Sequence, residues 1–154
     1  MWEDIPRTKG GYHVILVDPP WPYKQLLTSK KTRGGASKHY VLLTEEEIAA
    51  LPILEISAED CQLWLWTTNT HLPVAMDLIK AWGFSYKTNR IWVKTNGFGG
   101  GYWLRGQTEI LILAVSGKLP LRKKMVTNLV SEKRGRHSEK PEKFRTFIER
   151  LSPG

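Results

Sequence analysis

At 154 residues, 41% of them hydrophobic, the chain has the size and balance of one compact domain over 1–154, which excludes a disordered tail. It has no apolar run of about twenty residues to span a bilayer, and the start MWEDIPRTKGGYHVIL lacks the order of a secretory signal, so a soluble intracellular protein is expected. The net charge is +8 with a pI near 9.7, and Lys plus Arg stand at 7 against 9 Asp plus Glu over 1–60, 5 against 2 over 61–117, and 11 against 4 over 118–154. A basic C-terminal segment attracts a polyanion by counterion release, which makes nucleic acid the leading partner class, level on charge alone with a lysine-rich surface kept for solubility.

In chain order, HVILV at 13–17 is a short apolar run that stops at Asp18-Pro19-Pro20-Trp21, where two prolines remove ladder donors. A buried strand therefore delivers Asp18 to its C-terminal edge. Residues 22–39 are basic and small with no apolar period, and they read as a long mobile loop of the kind that often covers a site. Thr44 and Glu47 form a capping-box pattern that opens a helix ended at Pro52. CQLWLWT at 61–67 is a second buried strand, and its lone Cys61 has no disulfide partner and is expected in the core. A helix follows from His71 to Trp82, with Gly83 as its exit.

Strands are expected at 86–94 and 108–116, joined by the glycine-rich TNGFGGGYWLRGQ. The stretch 119–139 is basic and irregular apart from a short strand signal at VTNLV, and Lys140–Leu151 is a helix with Phe144, Phe147, Ile148 and Leu151 on one face. This alternation of strands and helices argues for an α/β layered fold with a mainly parallel sheet and helices on both faces. Trp64, Trp66, Trp82 and Trp92 lie in apolar runs and are assigned to the core. The four histidines show no metal-ligand spacing, and no metal site is expected.

Asp18-Pro19-Pro20-Trp21 is the strongest local signal, because ligands of open α/β sheets bind outside the carboxyl ends of the strands. Read alone, the four residues could equally be a turn with a surface tryptophan. Four further segments decide between these readings. VILVDPPWPY, HYVLLTEEEIAALP, WGFSYKTNRIWVKTN with GYWLRGQTEILIL, and RHSEKPEKFRTFIERLSPG resemble, in order and over nearly the whole chain, the adenine-N6 methyltransferase family with the DPPW motif. Its best-known member is the catalytic subunit of the mRNA N6-adenosine methyltransferase, and small bacterial and phage relatives act on DNA.

The resemblance implies a Rossmann-like fold dependent on S-adenosylmethionine, with a permuted motif order. It implies transfer of a methyl group to the exocyclic amine of adenine. The amine turns tetrahedral as it reacts, and acceptors for its two N–H bonds favour that change. Asp18 supplies one acceptor and the Pro19 carbonyl the other, Pro20 stiffens the turn, and Trp21 is expected to stack on the extruded base. By the same resemblance Tyr40 closes over the adenine, Glu109 faces the base ring, and Lys140 lies beside both base and cofactor, with Asp18 and Ser138 also toward the cofactor. Trp103 and Arg105 are candidates for touching nucleic acid. DNA is favoured over RNA because the chain is small and carries no added RNA-binding or zinc module, and RNA stays open as the alternative. A non-catalytic scaffold subunit is the reading from another class, and a homodimer or a heterodimer with a related subunit is the assembly expected. A cytoplasmic bacterial or phage protein is expected, or a nuclear one if eukaryotic. The family continues past Leu-Ser-Pro-Gly into a strand that contacts the cofactor, and this sequence stops before it, so weakened cofactor binding by the chain alone is also expected.

Overall fold

The structure is a computed structural model that describes residues 4–22, 43–100, 103–123, 125–136 and 138–153. The expected loop at 22–39, from residue 23 onward, and Tyr40 lie outside the described residues.

Among the described residues five strands form one sheet, in the spatial order β1-β2-β4-β3-β5: β1 Tyr12–Val17, β2 Ser57–Thr67, β3 Ser85–Lys94, β4 Thr108–Ser116 and β5 Leu129–Glu132. β1 runs parallel to β2 and β3 parallel to β5, while β4 is antiparallel to both of its neighbours. Four strands thus share one direction and only β4 is reversed. The β3–β4 connection carries no helix among its described residues, whereas a crossover back to a parallel strand usually does, and the two strands pair antiparallel. The carboxyl ends of β1, β2, β3 and β5 and the start of β4 consequently meet on one rim of the sheet.

The two faces are filled by alternation. Along β2, Cys61, Leu63 and Leu65 face a core shared with α1 (Glu45–Ala49), α2 (Ile53–Ile56) and α3 (Leu72–Ala81), while Trp64 and Trp66 face α4 (Glu142–Leu151). β4 does the same, with Ile110, Ile112 and Ala114 toward the first core and Leu111 and Leu113 toward the second. Burial on both faces explains why these strands read as continuous apolar runs. Helices therefore cover both faces, and the mixed α/β sheet with mostly parallel strands fits a Rossmann-like fold. Trp64, Trp66, Trp82 and Trp92 are all buried, as is Cys61. Burial pushes the Cys61 thiol up to about 11, so it is neutral and unreactive near pH 7.

Local chemistry sets the ends of the elements. Thr44 Oγ1 accepts from Glu47 N at 3.2 Å, and Glu47 returns a bond to Thr44 N at 2.7 Å, the reciprocal cap that the pattern implied. Pro52 ends no long helix: it separates α1 from the single turn α2, so the helix expected up to Pro52 is shorter and broken. Gly83 leaves α3 with φ +80°, a conformation that suits a residue without Cβ. α4 docks through Phe144, Ile148 and Leu151, one stripe at helical spacing, and Arg90 places its guanidinium 3.6 Å from the Phe147 ring.

A buried polar tie closes this face. Ser152 Oγ donates to Gln62 Oε1 at 2.7 Å, Trp64 Nε1 donates to Ser152 Oγ at 3.3 Å, and Gln62 Nε2 donates to the Leu119 carbonyl at 2.9 Å. Each buried polar atom of the set is thereby satisfied.

Candidate active site

Asp18 follows directly from β1, Glu109 is the second residue of β4, and Lys140 lies just ahead of α4, so three residues far apart in sequence reach one rim. The Lys140 ammonium sits 3.2 Å from Asp18 Oδ2 and 3.1 Å from Glu109 Oε2. The other Glu109 oxygen, Oε1, accepts from Lys94 Nζ at 2.6 Å. The result is a row of alternating charge, Asp18–Lys140–Glu109–Lys94. Under it lie two indoles: Lys140 is 5.3 Å from the centre of the Trp66 ring and Lys94 is 5.1 Å from that of Trp92, where the negative faces of the rings favour ammonium groups.

The row is sheltered except at one end. Side chains of Lys140, Glu109 and Lys94 are 15–20% exposed, whereas that of Asp18 is 43% exposed, so Asp18 is the member offered to a ligand. Partial burial raises the Asp18 carboxyl above its ordinary 3.8, Lys140 offsets part of that rise, and the Glu109 charge adds to it. For Lys140, burial alone would lower the ammonium below 10.5, but the carboxylates of Asp18 and Glu109 outweigh it and hold the group above that value. Lys140 is therefore a fixed cation at neutral pH.

The turn after Asp18 is short of donors, because Pro19, Pro20 and Pro22 have no N–H. Trp21 N donates to the Pro19 carbonyl at 2.9 Å and Leu43 N to the Pro20 carbonyl at 3.2 Å. The Pro19 carbonyl keeps its second lone pair for a ligand. Trp21 does not fit the role expected of it. It is 5% exposed, its Nε1 donates to the Trp66 carbonyl at 3.0 Å, and its ring stacks on His71 with centroids 5.1 Å apart and planes 19° from parallel. A ring packed this way is not presented to a flipped base, so Trp21 is an anchor of the turn and the base-stacking expectation is corrected.

Other expected site residues are placed apart from the row. Trp103 is 92% exposed and Arg105 is exposed on the connection between β3 and β4, beside the same rim. Ser138 is exposed two residues before Lys140, with φ +64°. Lys94 and His71 were not singled out by sequence. Lys94 closes a strand in the pattern YKTNRIWVK, and only the register Trp92↔Glu109 shows that Lys94, two residues beyond Trp92 on the same face, lies diagonal to a carboxylate. Below Asp18, an apolar cleft of about 350 Å³ runs along β1 between Tyr12, Leu16, Pro19, Leu51 and Ile53.

The charged row lies at the carboxyl ends of the parallel strands, where open α/β sheets bind their ligands. Residues 12–154 match the MT-A70 family profile, and the chain belongs to that family. It is 34% identical to the type II methyltransferase M.MunI of Mycoplasma sp over 92% of this chain and 66% of that protein. It is 28% identical to the human N(6)-adenosine-methyltransferase catalytic subunit METTL3 and 27% identical to the N(6)-adenosine-methyltransferase MT-A70-like protein of Drosophila melanogaster. Each of those two alignments covers 94% of this chain, with 24% and 23% of the relative. The chain thus spans about two thirds of the first relative and a quarter of the others. It shares descent with proteins named as methyltransferases.

Proposed function

We propose that the chain transfers a methyl group from S-adenosylmethionine to the N6 amine of adenine in DNA. The observation that carries the reading is the exposed Asp18 carboxylate, held against Lys140 beside the one available lone pair of the Pro19 carbonyl. Two acceptors on a stiff turn suit an amine with two N–H bonds, and they favour the tetrahedral form that develops as the amine attacks. The aminium formed is acidic and yields its proton to water, so Asp18 works as an acceptor and needs no raised basicity.

The donor set also fits the cofactor. An amino-acid zwitterion matches a carboxylate and an ammonium side by side, here Asp18 and Lys140 with Ser138 close by in sequence, and the apolar cleft along β1 suits a nucleoside group. When bound, S-adenosylmethionine supplies the methyl group as an electrophile on sulfur. Glu109, held from both sides by Lys94 and Lys140, is proposed to meet the edge of the base, and Tyr40 to close over it. Trp103 and Arg105 are proposed to contact the flanking strand. The motif order is read as permuted, with the Asp18 strand first in the chain.

DNA is favoured because the type II methyltransferase relative shares more identity and more of its own length with this chain than the N(6)-adenosine relatives do. The latter nonetheless align over 94% of the chain, so RNA is the second reading. Radiolabelled S-adenosylmethionine offered with matched adenine-containing DNA and RNA oligonucleotides tests both. N6-methyladenine in DNA, lost roughly 100- to 1000-fold in Asp18→Asn with unchanged oligonucleotide affinity, is the expected result. Equal loss of affinity and rate in that variant would remove the role given to Asp18, and product in RNA alone would replace the acceptor.

A further inference from the structure

We propose that His71 is a positioning residue that fixes the Asp18–Pro22 turn, and through it the orientation of the Asp18 carboxylate. The inference rests on the methyltransferase reading only for its effect on rate. His71 is 7% exposed at the start of α3, on the opposite face of the sheet from the charged row. Its Nε2 lies 2.9 Å from the Pro22 carbonyl and its Nδ1 2.8 Å from Thr68 Oγ1. A carbonyl only accepts, so Nε2 carries the proton, and in the neutral ring Nδ1 accepts from the Thr68 hydroxyl.

The turn depends on such help from outside. Three prolines among its residues 18–22 leave Asp18 N and Trp21 N as backbone donors, and Trp21 N makes the internal bond to the Pro19 carbonyl. Among the described residues its further ties are the Lys140 ammonium on the Asp18 carboxylate, the bond from Leu43, the Trp21 indole on the Trp66 carbonyl, and the His71 ring, which both donates to Pro22 and stacks on Trp21. Thr68 and His71 follow β2 directly, so the imidazole links the end of β2 and the head of α3 to the end of β1. Displacement of an acceptor by about 1 Å costs on the order of 100-fold in rate, and loosening without displacement costs less.

His71→Phe keeps the stack and removes the donor, while His71→Gln keeps a donor and removes the ring. Asp18 can be followed on this chain by carboxyl ¹³C NMR titration whether or not it turns over, with Lys140 and Glu109 as the charged groups facing it. In His71→Phe, the Asp18 midpoint is expected to move by about half a pH unit or more and kcat to fall about 10-fold with KM for the oligonucleotide within twofold. His71→Gln should recover most of both. Should His71→Phe not fold, Thr68→Val, which removes the bond to Nδ1, gives the same readout with a smaller shift in the same direction. An unmoved Asp18 titration in the folded variant overturns the proposal, with or without activity. A moved titration in proteins that transfer no methyl group supports the positioning and counts against the proposed reaction.

Discussion

Lys140 sits between two carboxylates, and removing its charge exposes what each of them owes to it. In Lys140→Met, Asp18 loses the one partner that lowers its pKa while burial and the Glu109 charge continue to raise it. The acid limb that Asp18 sets in a kcat profile should move to higher pH than in the unsubstituted chain, and a limb that stays in place would separate Lys140 from the Asp18 titration. The sign for stability is opposite in kind. Because the folded value of Lys140 is raised, its contribution is complete below pH 10.5 and is lost only as pH rises through the folded value. Urea denaturation should find the variant weaker by roughly 1–3 kcal/mol at pH 7, between surface and buried pairs. At this scale the sequence was legible where a resemblance named the residue: Asp18, Glu109 and Lys140 do meet. Lys94 and Trp21 were not. A lysine at a strand end reads as solvated, and the fate of an indole beside two prolines depends on a histidine 50 residues onward.

Among the elements, stability rests unevenly on the two faces. Phe144 packs edge-on against Trp66, with centroids 4.8 Å apart, and is 2% exposed, so Phe144→Ala should cost about 3–5 kcal/mol. Thr44→Ala should cost about 1 kcal/mol, since it removes one cap from a short helix. Thermal denaturation of the pair checks the ordering, and an equal loss would mean that α4 is not the lid of the second core. β4 was legible to the residue at both ends, because it is buried on both faces and bounded by glycines on either side. β2 begins at Ser57, four residues ahead of its apolar run. Its polar start is held by neighbours: Tyr12 pairs with Ser57, and the Asp60 carboxylate accepts from Lys118 N at 2.7 Å. Hydrophobic periodicity carries no trace of either contact.

For the molecule as a whole, strand direction sorts the basic C-terminal third into two populations. Lys133 and Arg136 follow β5 and so lie on the Asp18 rim, whereas Lys118 follows the reversed β4 and belongs, with Lys123, to the opposite end. Replacing Lys133 and Arg136 by Gln should weaken DNA binding and flatten the log–log salt slope by about 2, near one unit per lost phosphate contact. Replacing Lys118 and Lys123 should leave the slope unchanged. Equal effects from both pairs would mean that nucleic acid wraps both ends of the sheet. Charge along the sequence revealed the excess but not its division, because only the position of β4 tells which lysines share a side.

The tie between Gln62 and Ser152 spans 90 residues and that between Trp64 and Ser152 spans 88, with a consequence for the order of synthesis. A chain leaving the ribosome has β1, β2, β3 and β4 available while α4 is still inside the exit tunnel. During that interval Trp64, Trp66 and Leu111 form a bare apolar surface, and Gln62 lacks the hydroxyl it will later accept from. Completion of the second core is therefore a late, all-at-once event, and a nascent chain paused before α4 emerges is the form of this protein in most need of a chaperone.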